Sequence, residues 1–542
     1  MISTARYWFY IALIVLVYII GMFVTLFEND SAQFAVMAMR MVQENDFLSL
    51  FKGPEEYLDK PHMHYWLAAL SYKIFGIHDW AYRIPGILST LLGAYSCYGL
   101  GKLLYNKDVG RFASLIFMTA QTMVLANIDV RTDAVLTGFT IFSIWQLATY
   151  IEKNTLKSIV LGAFGAGMAF STKGQIALVV IGISILCHLT YTRKWQQLRN
   201  WRVLAAILVF VLTIAPMLYA YYHQFDLHPE KVIRGKDNRS GIFFIFWEQS
   251  FERMSGEGVG KNSSDFFFFF HTFLWVFLPW TVLALIGYWK KIKAFWDAKF
   301  AYKPNLEFLT VGGISILFLL ISFAQFKLPH YMNVLMPLYA ILSAAFLFVL
   351  HQKEKLKMAK IILGIQYFIL ILVVVFTLLV SFYVFKLEHW YSYLFLLMAL
   401  ALVAYFILKK ETAYAKIVTV AIFSSLLLNG LMNAHFYPKL LEYQGGSTMA
   451  QRVKAENIPV DDIYKINERH TWALDFYNQN PVNKDVWVYA TDKELEQLQK
   501  KGIAWNNLIT VDQFRITRLQ IKFLNPDTRE EKLNKMHLVH LN

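Results

Sequence analysis

Residues 361–385, IILGIQYFILILVVVFTLLVSFYVF, form an apolar run without a single charged residue. A helix needs about 20 apolar residues to cross the hydrocarbon core of a bilayer. Similar runs recur along the 542-residue chain, which is 57% hydrophobic and only 17% charged, whereas a soluble domain carries about 25% charged residues. The sequence therefore predicts a polytopic α-helical membrane protein. Its abundant aromatic residues also exclude a disordered chain.

Thirteen apolar segments are predicted to span the membrane. They cover residues 7–27, 84–104, 109–128, 133–151, 158–172, 175–192, 203–222, 267–289, 307–326, 331–350, 361–385, 390–408 and 415–434. The first segment is too long for a signal-peptide core and lacks a small-residue cleavage site, so we expect it to be retained.

Basic residues set the expected orientation of these spans. They concentrate in alternate loops, whereas the four short loops on the other side carry one each, Arg131, Lys173, Lys327 and Lys386. The positive-inside rule then puts the N-terminus in the cytoplasm. With an odd number of spans, the C-terminal region lies outside.

Two regions follow from this layout. Residues 1–435 form a transmembrane domain with long outside loops at 28–83 and 223–266, and residues 436–542 form a small α/β domain outside the membrane. In the second region, strands are predicted at 485–490 and 538–541, and a helix at 491–501. The first loop contains two amphipathic segments, 31–45 and 61–75, which are predicted to be helices along the membrane surface. The second loop is polar and is predicted to be flexible.

The net charge of +14 does not indicate a nucleic-acid partner. From Phe436 to the end there are 15 Lys+Arg against 14 Asp+Glu, so the positive excess lies in the loops between the apolar segments. That position is typical of membrane anchoring rather than of a basic binding face. The two cysteines, Cys97 and Cys187, both lie inside apolar segments, so no structural disulfide is expected.

Ionisable residues recur in the loops that are predicted to emerge on the outside. They are Asp30, Lys60, Asp129, Arg131, Asp133, Lys173, Lys327 and His330. Acids and bases gathered at one face of a membrane indicate a site that handles a charged headgroup. A carboxylate there can act as a general base, and the cations can pair with an anionic group.

Each of these residues also has a structural interpretation. Asp133 could cap a helix, and a lysine at a helix end is usually a membrane anchor, as we expect for Lys386. His62 and His64 could be metal ligands, although a surface position is favoured. Two other classes of protein stay open: a secondary transporter, which would place charges at mid-membrane, and a non-catalytic scaffold that binds partners through residues 436–542.

Six separated motifs keep one order along residues 1–350. They are Glu28-Asn29-Asp30-Ser31-Ala32-Gln33-Phe34-Ala35, Asp59-Lys60-Pro61, Arg131-Thr132-Asp133-Ala134, Ser171-Thr172-Lys173-Gly174, Leu278-Pro279-Trp280 and Lys327-Leu328-Pro329-His330-Tyr331-Met332. This order resembles the aminoarabinose transferase and protein O-mannosyltransferase group of membrane glycosyltransferases, which have the GT-C type of fold.

The resemblance implies an inverting transfer of a sugar from a polyprenyl-phosphate carrier to an acceptor outside the inner membrane. The implied acceptors are lipid A, protein Ser/Thr or an envelope glycan, and the other partners are membrane lipids. The matching residues imply these roles: Asp30 and Asp133 as catalytic carboxylates, Lys60, Lys173, Arg253 and Tyr331 at the donor phosphate, and Arg131, Lys327 and His330 as further candidates.

Some positions depart from the pattern of the group. Asp59 replaces the usual Glu before Lys-Pro, and Ser31 and Gln33-Phe34 stand where an acidic residue and an Arg-Tyr pair are common. The second loop lacks the His that some members carry near their Arg. The sequence therefore identifies neither the sugar nor a cofactor, and it gives no support for a bound metal.

Overall fold

The computed structural model describes residues 2–28, 30–255, 265–304, 306–460, 463–465, 471–479, 487–500 and 503–541. Over these residues the chain is a bundle of long helices followed by a small mixed region built around a β-sheet. The predicted fold class is confirmed.

All thirteen predicted spans are helical. Their helices are α1 (Thr4–Met22), α4 (Asp79–Leu104), α5 (Lys107–Thr119), α7 (Asp133–Lys153), α8 (Leu156–Lys173), α9 (Gln175–Thr192), α10 (Arg202–Tyr221), α13 (Phe268–Val276) with α14 (Thr281–Asp297), α15 (Leu309–Ser322), α16 (Met336–Gln352), α17 (Leu356–Leu379), α18 (Trp390–Leu408) and α19 (Ala413–Leu431). Within the described ranges, nine helical segments are long and apolar enough to cross a membrane. The other predicted spans are shorter, interrupted or less apolar.

Shorter helices connect these spans or belong to the C-terminal region. They are α2 (Asp30–Gln43), α3 (Met63–Phe75), α6 (Gln121–Leu125), α11 (Gly241–Phe243), α12 (Gln249–Ser255), α20 (Tyr437–Leu441), α21 (Gly445–Ala455), α22 (Trp472–Asn478), α23 (Asp492–Lys500) and α24 (Ile521–Leu524). Short 3₁₀ segments run over Trp195–Arg199, Pro329–Leu335, Pro526–Thr528 and Glu530–Lys532, and π-helical turns over Tyr222–Asp226, Phe244–Glu248, Val380–Val384 and Met432–Phe436.

Neighbouring membrane helices approach each other closely where a glycine of one helix lies against the backbone of the next. A Cβ atom on Gly138 of α7 would lie 2.2 Å from the carbonyl oxygen of Ser89 in α4, and one on Gly110 of α5 would lie 2.4 Å from that of Tyr98. Small residues that let helix backbones approach are typical of membrane bundles. The contact at Gly138 brings the N-terminal part of α7, which carries Asp133, against α4.

The eighth predicted span is interrupted, which the sequence did not predict. Helices α13 and α14 are separated by Phe277–Trp280, around Pro279, which lacks a backbone N–H. The carbonyl of Leu278 accepts the backbone N–H of Gln121 at 3.0 Å, and that of Pro279 accepts the amide of Gln366 at 2.9 Å. Irregular backbone is tolerated at membrane depth when other parts of the protein satisfy its polar groups.

The two amphipathic segments of the first outside loop are α2 and α3, as predicted, and a short hairpin of β1 (Phe51–Lys52) and β2 (Glu55–Glu56) lies between them. Helix α2 is buried along most of its length, in an apolar cluster that also contains Trp472, Ala473 and Phe476 of α22. The C-terminal region therefore covers the first outside loop.

The second outside loop contains α11, α12 and two π-helical turns, although the sequence predicted a flexible segment. Hydrogen bonds join the described residues 223–255 of this loop to one another and to the first outside loop. The Asp226 carboxylate accepts the backbone N–H of Gly241 at 3.0 Å, and the Gln224 amide exchanges two bonds with the backbone of Leu50. The two outside loops are thus joined to each other.

The C-terminal sheet has four strands in the order β3-β4-β6-β5, namely β3 (Ile463–Lys465), β4 (Trp487–Thr491), β5 (Trp505–Gln513) and β6 (Asn534–Leu541). Strands β3 and β4 are parallel, and the other two pairings are antiparallel. Helices α21 and α22 pack on one face and α23 on the other. The predicted strand 485–490 and helix 491–501 correspond to β4 and α23, apart from residues 485, 486 and 501, which lie outside the described ranges.

Candidate active site

Arg131 joins two acid-bearing parts of the chain. Its guanidinium lies 2.9 Å from Oδ2 of Asp30, the first residue of α2, and 2.9 Å from Oδ2 of Asp129. Burial lowers the pKa of Arg131, but the two carboxylates outweigh that effect and hold the pKa above its ordinary value. The Asp30 side chain is 44% exposed, so one carboxylate of this cluster is open to solvent.

Asp133 and Lys173 form a second, more deeply buried pair. Asp133 is the first residue of α7 and Lys173 is the last residue of α8. Nζ of Lys173 donates to Oδ1 of Asp133 at 2.7 Å, and the two side chains are only 11% and 5% exposed. Nζ also lies 5.1 Å from the ring centre of Tyr331, and Nε2 of His330 lies 3.9 Å from the second Asp133 oxygen.

Asp30 and Asp133 therefore both stand at helix N-termini. The helix dipole stabilises a carboxylate at such a position, so it favours ionisation of both and does not distinguish them. The two differ in their surroundings. Asp133 is buried against a lysine, whereas Asp30 is partly exposed and shares Arg131 with Asp129.

Asp59 of the Asp59-Lys60 motif pairs with a cation that the sequence did not predict, Arg234. The guanidinium of Arg234, in the second outside loop, forms ion pairs with Asp59 and with Glu252, the latter at 3.0 Å. Burial is the main reason why the pKa of Arg234 lies below its ordinary value. The resemblance implies Arg253 as the donor-site arginine of this loop, not Arg234. Nothing in the spacing of Arg234 singled it out, because its contact with Asp59 joins residues 175 positions apart.

These side chains line one cavity of about 290 Å³. Of the residues predicted for the site, it contains Asp30, Lys60, Arg131, Asp133, Lys173, His330 and Tyr331, and it adds Asp59 and Arg234. Lys327 is buried nearby and donates to the carbonyl oxygen of Asp265 at 2.6 Å, outside the lining. Arg253 lies in α12, and its side chain falls outside the described part of the chain.

An apolar groove of about 280 Å³ shares a wall with this cavity. Lys60, Asp133, Lys173, Phe326 and Tyr331 line both spaces. From there the groove continues along apolar side chains of α7, α9, α12 and α15, among them Leu136, Ile176, Val179, Met254, Leu320 and Ile321. A cavity that holds four cationic side chains beside three carboxylates, at the end of an apolar groove, can take an amphipathic ligand with an anionic head.

Arg83 fixes the segments that lead to the site. Its guanidinium is fully buried and donates to four backbone carbonyls, those of Met22, Val24, Thr25 and Ile128. Residues 22–25 lead to Asp30, and Ile128 precedes the turn that carries Arg131. One buried side chain thus ties together the two segments that carry the Asp30–Arg131 pair.

His62 and His64 are not surface residues, so that interpretation was wrong. Both are buried, with Nε2 of His62 bonded to the carbonyl of Leu48 and Nε2 of His64 to the hydroxyl of Tyr82, each at 2.9 Å. Burial lowers the pKa of both imidazoles to about 4. Among the described residues, no three His, Cys, Asp or Glu side chains are grouped so that they could hold a metal ion.

Residues 59–219 match the family described as dolichyl-phosphate-mannose-protein mannosyltransferase. The chain is 28% identical over 351 residues to an undecaprenyl phosphate-alpha-4-amino-4-deoxy-L-arabinose arabinosyl transferase of Proteus mirabilis, covering 62% of this chain and 58% of that protein. It is 24% identical over 335 residues to the corresponding transferase of Photorhabdus laumondii, covering 59% and 55%. The match thus spans little more than half the length of either relative.

The fold is also that of a solved structure. The crystal structure of ArnT from Cupriavidus metallidurans bound to undecaprenyl phosphate superimposes with a TM-score of 0.73 at 16% identity, over 99% of this chain and 98% of that one. Its apo form gives a TM-score of 0.72. The resemblance predicted from the motifs is therefore confirmed: the chain is a multi-pass membrane protein with the fold of that transferase, and its sequence is similar to the aminoarabinose transferase and protein O-mannosyltransferase group.

Proposed function

We propose that this protein is an inverting glycosyltransferase that moves a sugar from a polyprenyl-phosphate donor to an acceptor outside the inner membrane. The observation that carries the proposal is the wall shared by a cation-lined cavity and an apolar groove. A polyprenyl-phosphate sugar has the matching parts, an apolar chain and an anionic phosphate beside the sugar. The printed names of the Proteus and Photorhabdus relatives, which specify an undecaprenyl-phosphate sugar, support the same donor class.

In the proposed reaction, an acceptor hydroxyl oxygen bonds to the anomeric carbon of the donor sugar. The bond from that carbon to the phosphate oxygen breaks, and its electron pair leaves with the polyprenyl phosphate. Lys60, Lys173, Arg253 and Arg234 are proposed to offset the charge of the departing phosphate, and the hydroxyl of Tyr331 is proposed to donate a hydrogen bond to it. A single displacement of this kind inverts the anomeric centre.

Asp30 is the proposed general base that takes the proton of the acceptor hydroxyl. Its exposure supports this role, because a base must be reachable by the acceptor. Asp133 also pairs with a cation, but it is only 5% exposed against 44% for Asp30, so an acceptor reaches it less readily. We therefore assign Asp133 a supporting role in holding Lys173 and the donor. His330, Arg131 and Lys327 are proposed to position these groups.

The test is release of sugar from a purified polyprenyl-phosphate donor by wild type and an Asp30→Asn variant. General-base contributions run to about 10²–10⁴ in rate, so turnover should fall by that factor while donor binding is retained. Asp237→Asn is the matched control, because Asp237 is an exposed acid of the second outside loop that does not line the cavity.

An Asp30→Asn enzyme that keeps more than about a tenth of wild-type turnover would refute the assignment of the base. An inactive Asp133→Asn beside an active Asp30→Asn would transfer the role to Asp133. A wild type that binds polyprenyl phosphate but releases no sugar from any such donor would contradict the enzymatic function itself.

A further inference from the structure

A cleft of about 370 Å³ lies between α1, α4 and α5, away from the active-site cavity. We call it the basic cleft and define it by Thr4, Tyr7 and Trp8 of α1, Tyr95 of α4, and Lys107 and Arg111 of α5. Tyr95 follows Arg83 in α4 by 12 residues, or about 18 Å at about 1.5 Å per residue. Because Arg83 holds the segments that lead to the active site, the basic cleft lies toward the opposite end of the bundle, on the predicted cytoplasmic side.

The basic cleft is open because α1 packs less closely than α4 and α5 pack on each other. A Cβ atom on Gly101 of α4 would lie 2.9 Å from Cα of Gly110 in α5, so these two helices meet backbone to backbone. Helix α1 reaches α5 through long side chains, such as that of Tyr7, whose hydroxyl lies 3.0 Å from the hydroxyl of Ser114. Space therefore stays open beside the first turns of α1.

Arg111 brings a buried cation with unused donors to this space. Its side chain is only 11% exposed, and its guanidinium carbon lies 5.8 Å from the ring centre of Tyr7. Among the described residues the guanidinium donates one hydrogen bond, to Oγ1 of Thr4 at 2.7 Å, and its one ion pair, with Asp108, is 3.7 Å long. A guanidinium carries five N–H donors, and a buried charge is costly unless it is paired and hydrogen-bonded. Arg111 therefore favours an anion in the cleft.

Lys107 adds a second cation on the same face of α5. It precedes Arg111 by four residues, and side chains four apart are neighbours on a helix surface. Lys107 is exposed and forms no ion pair with any residue that the structure describes. The described lining of the basic cleft contains no carboxylate. The cleft thus carries an excess of positive charge, whereas three carboxylates accompany the cations of the active-site cavity.

Aromatic and apolar side chains complete the basic cleft. The rings of Trp8 and Tyr95 are 62% and 58% exposed, and such rings are enriched at the level of the lipid headgroups. Ile11, Leu91 and Met118 also belong to the lining. Met118 follows Arg111 by seven residues, or about 10 Å along α5. The cleft therefore runs from its cations toward the membrane interior along an apolar surface.

From these charges and this direction, we propose that the basic cleft binds an anionic phospholipid of the membrane. The phosphate meets Arg111 and Lys107, since a guanidinium matches two phosphate oxygens, and an acyl chain follows the apolar lining. Basic pockets between membrane helices on the cytoplasmic side bind such headgroups. A zwitterionic headgroup would bring an ammonium group, for which the described lining offers no carboxylate. The site is separate from the donor site and does not depend on the proposed transferase function.

The test measures binding of radiolabelled phosphatidylglycerol, and of phosphatidylcholine with the same acyl chains, to the full-length protein in mixed micelles. Phosphatidylglycerol should bind at least tenfold more tightly, and Arg111→Gln should remove at least tenfold of its affinity. Lys107→Gln changes an exposed residue, so it keeps the test decisive if Arg111→Gln does not fold, and it should weaken binding three- to fivefold. Lys102→Gln is the matched control, because Lys102 is an exposed lysine near the same end of α4 that does not line the cleft, and it should stay within 1.5-fold.

The melting temperature gives a second measurement, because a ligand of the folded state stabilises it. Phosphatidylglycerol should raise the melting temperature of the wild type and of Lys102→Gln more than that of Lys107→Gln. Equal affinity for the two phospholipids, or equal weakening in Lys107→Gln and Lys102→Gln, would overturn the inference. Competition by glycerophosphoglycerol as strong as by the intact lipid would identify a site for a soluble anion. Polyprenyl phosphate that displaces phosphatidylglycerol at equimolar amounts would assign the cleft to the donor lipid, and either result would overturn the proposal.

Discussion

Replacing Lys173 by Met removes one charge of a buried ion pair. Nζ of Lys173 lies 2.7 Å from Oδ1 of Asp133, and the side chains are 11% and 5% exposed. At an effective dielectric constant of about 20, such a pair attracts by about 6 kcal/mol before desolvation is counted. Removing one partner of a buried pair typically costs about 3–5 kcal/mol, because the other charge is left uncompensated. Lys173→Met should therefore be destabilised by that amount.

The variant Lys173→Met/Asp133→Asn separates stability from function. With both charges gone, most of the lost stability should return, measured as the melting temperature in one detergent. Affinity for polyprenyl phosphate should stay low, because a hydrogen bond to a charged group contributes about 1.5–3 kcal/mol, or roughly 10- to 100-fold in Kd. Lys386→Met is the matched control, since Lys386 is exposed and lies outside the cavity.

Binding of polyprenyl phosphate by the double variant as tightly as by the wild type would refute the reasoning. Lys173 would then serve only to neutralise Asp133, and the phosphate would be held by other cations. A single Lys173→Met variant as stable as the wild type would refute the first step, the burial of an uncompensated charge.

Two further predictions concern topology and pH. A phosphatase reporter that is active only outside the cytoplasm should be active when fused after Gly446 and silent after Lys299, and the reverse pattern would place the cavity on the cytoplasmic side. His62 and His64 have pKa values of about 4 in the folded chain against about 6.5 when unfolded. The unfolded chain therefore binds protons first as the pH falls, and stability should decrease between about pH 6.5 and 4 by up to about 3 kcal/mol for each histidine. Thermal unfolding across this range should show the decrease and His64→Gln should reduce it, whereas a flat profile in the wild type would contradict it.

The spans and the predicted site residues were accessible to sequence reasoning because they depend on local patterns. Apolar length specifies a membrane helix wherever it occurs, and alternating basic loops bring Asp30, Asp133 and Lys173 to one face. Seven of the nine residues predicted for the site line a single cavity. Their chemical roles stay predictions.

Long-range pairing was not accessible in this way. Arg234 meets Asp59, and Glu28 meets Trp472, through contacts between distant parts of the chain. Neither the periodicity nor the composition of a sequence predicts contacts between residues so far apart. The burial of His62 and His64 could not be predicted for the same reason, because the residues that cover them belong to other elements. Strands β3 and β5 were likewise missed, because their pairing, not their composition, defines them.

The wall common to the groove and the cavity has a consequence for the kinetics of the proposed reaction. A donor whose chain stays in the groove never leaves apolar surroundings, whereas exposing ten methylene groups to water would cost about 8 kcal/mol. Encounter with the donor then takes place by diffusion in the plane of the membrane. The enzyme is then saturated according to the mole fraction of donor among the membrane lipids. Adding phospholipid at a fixed amount of donor dilutes the donor within the membrane and lowers the rate below saturation.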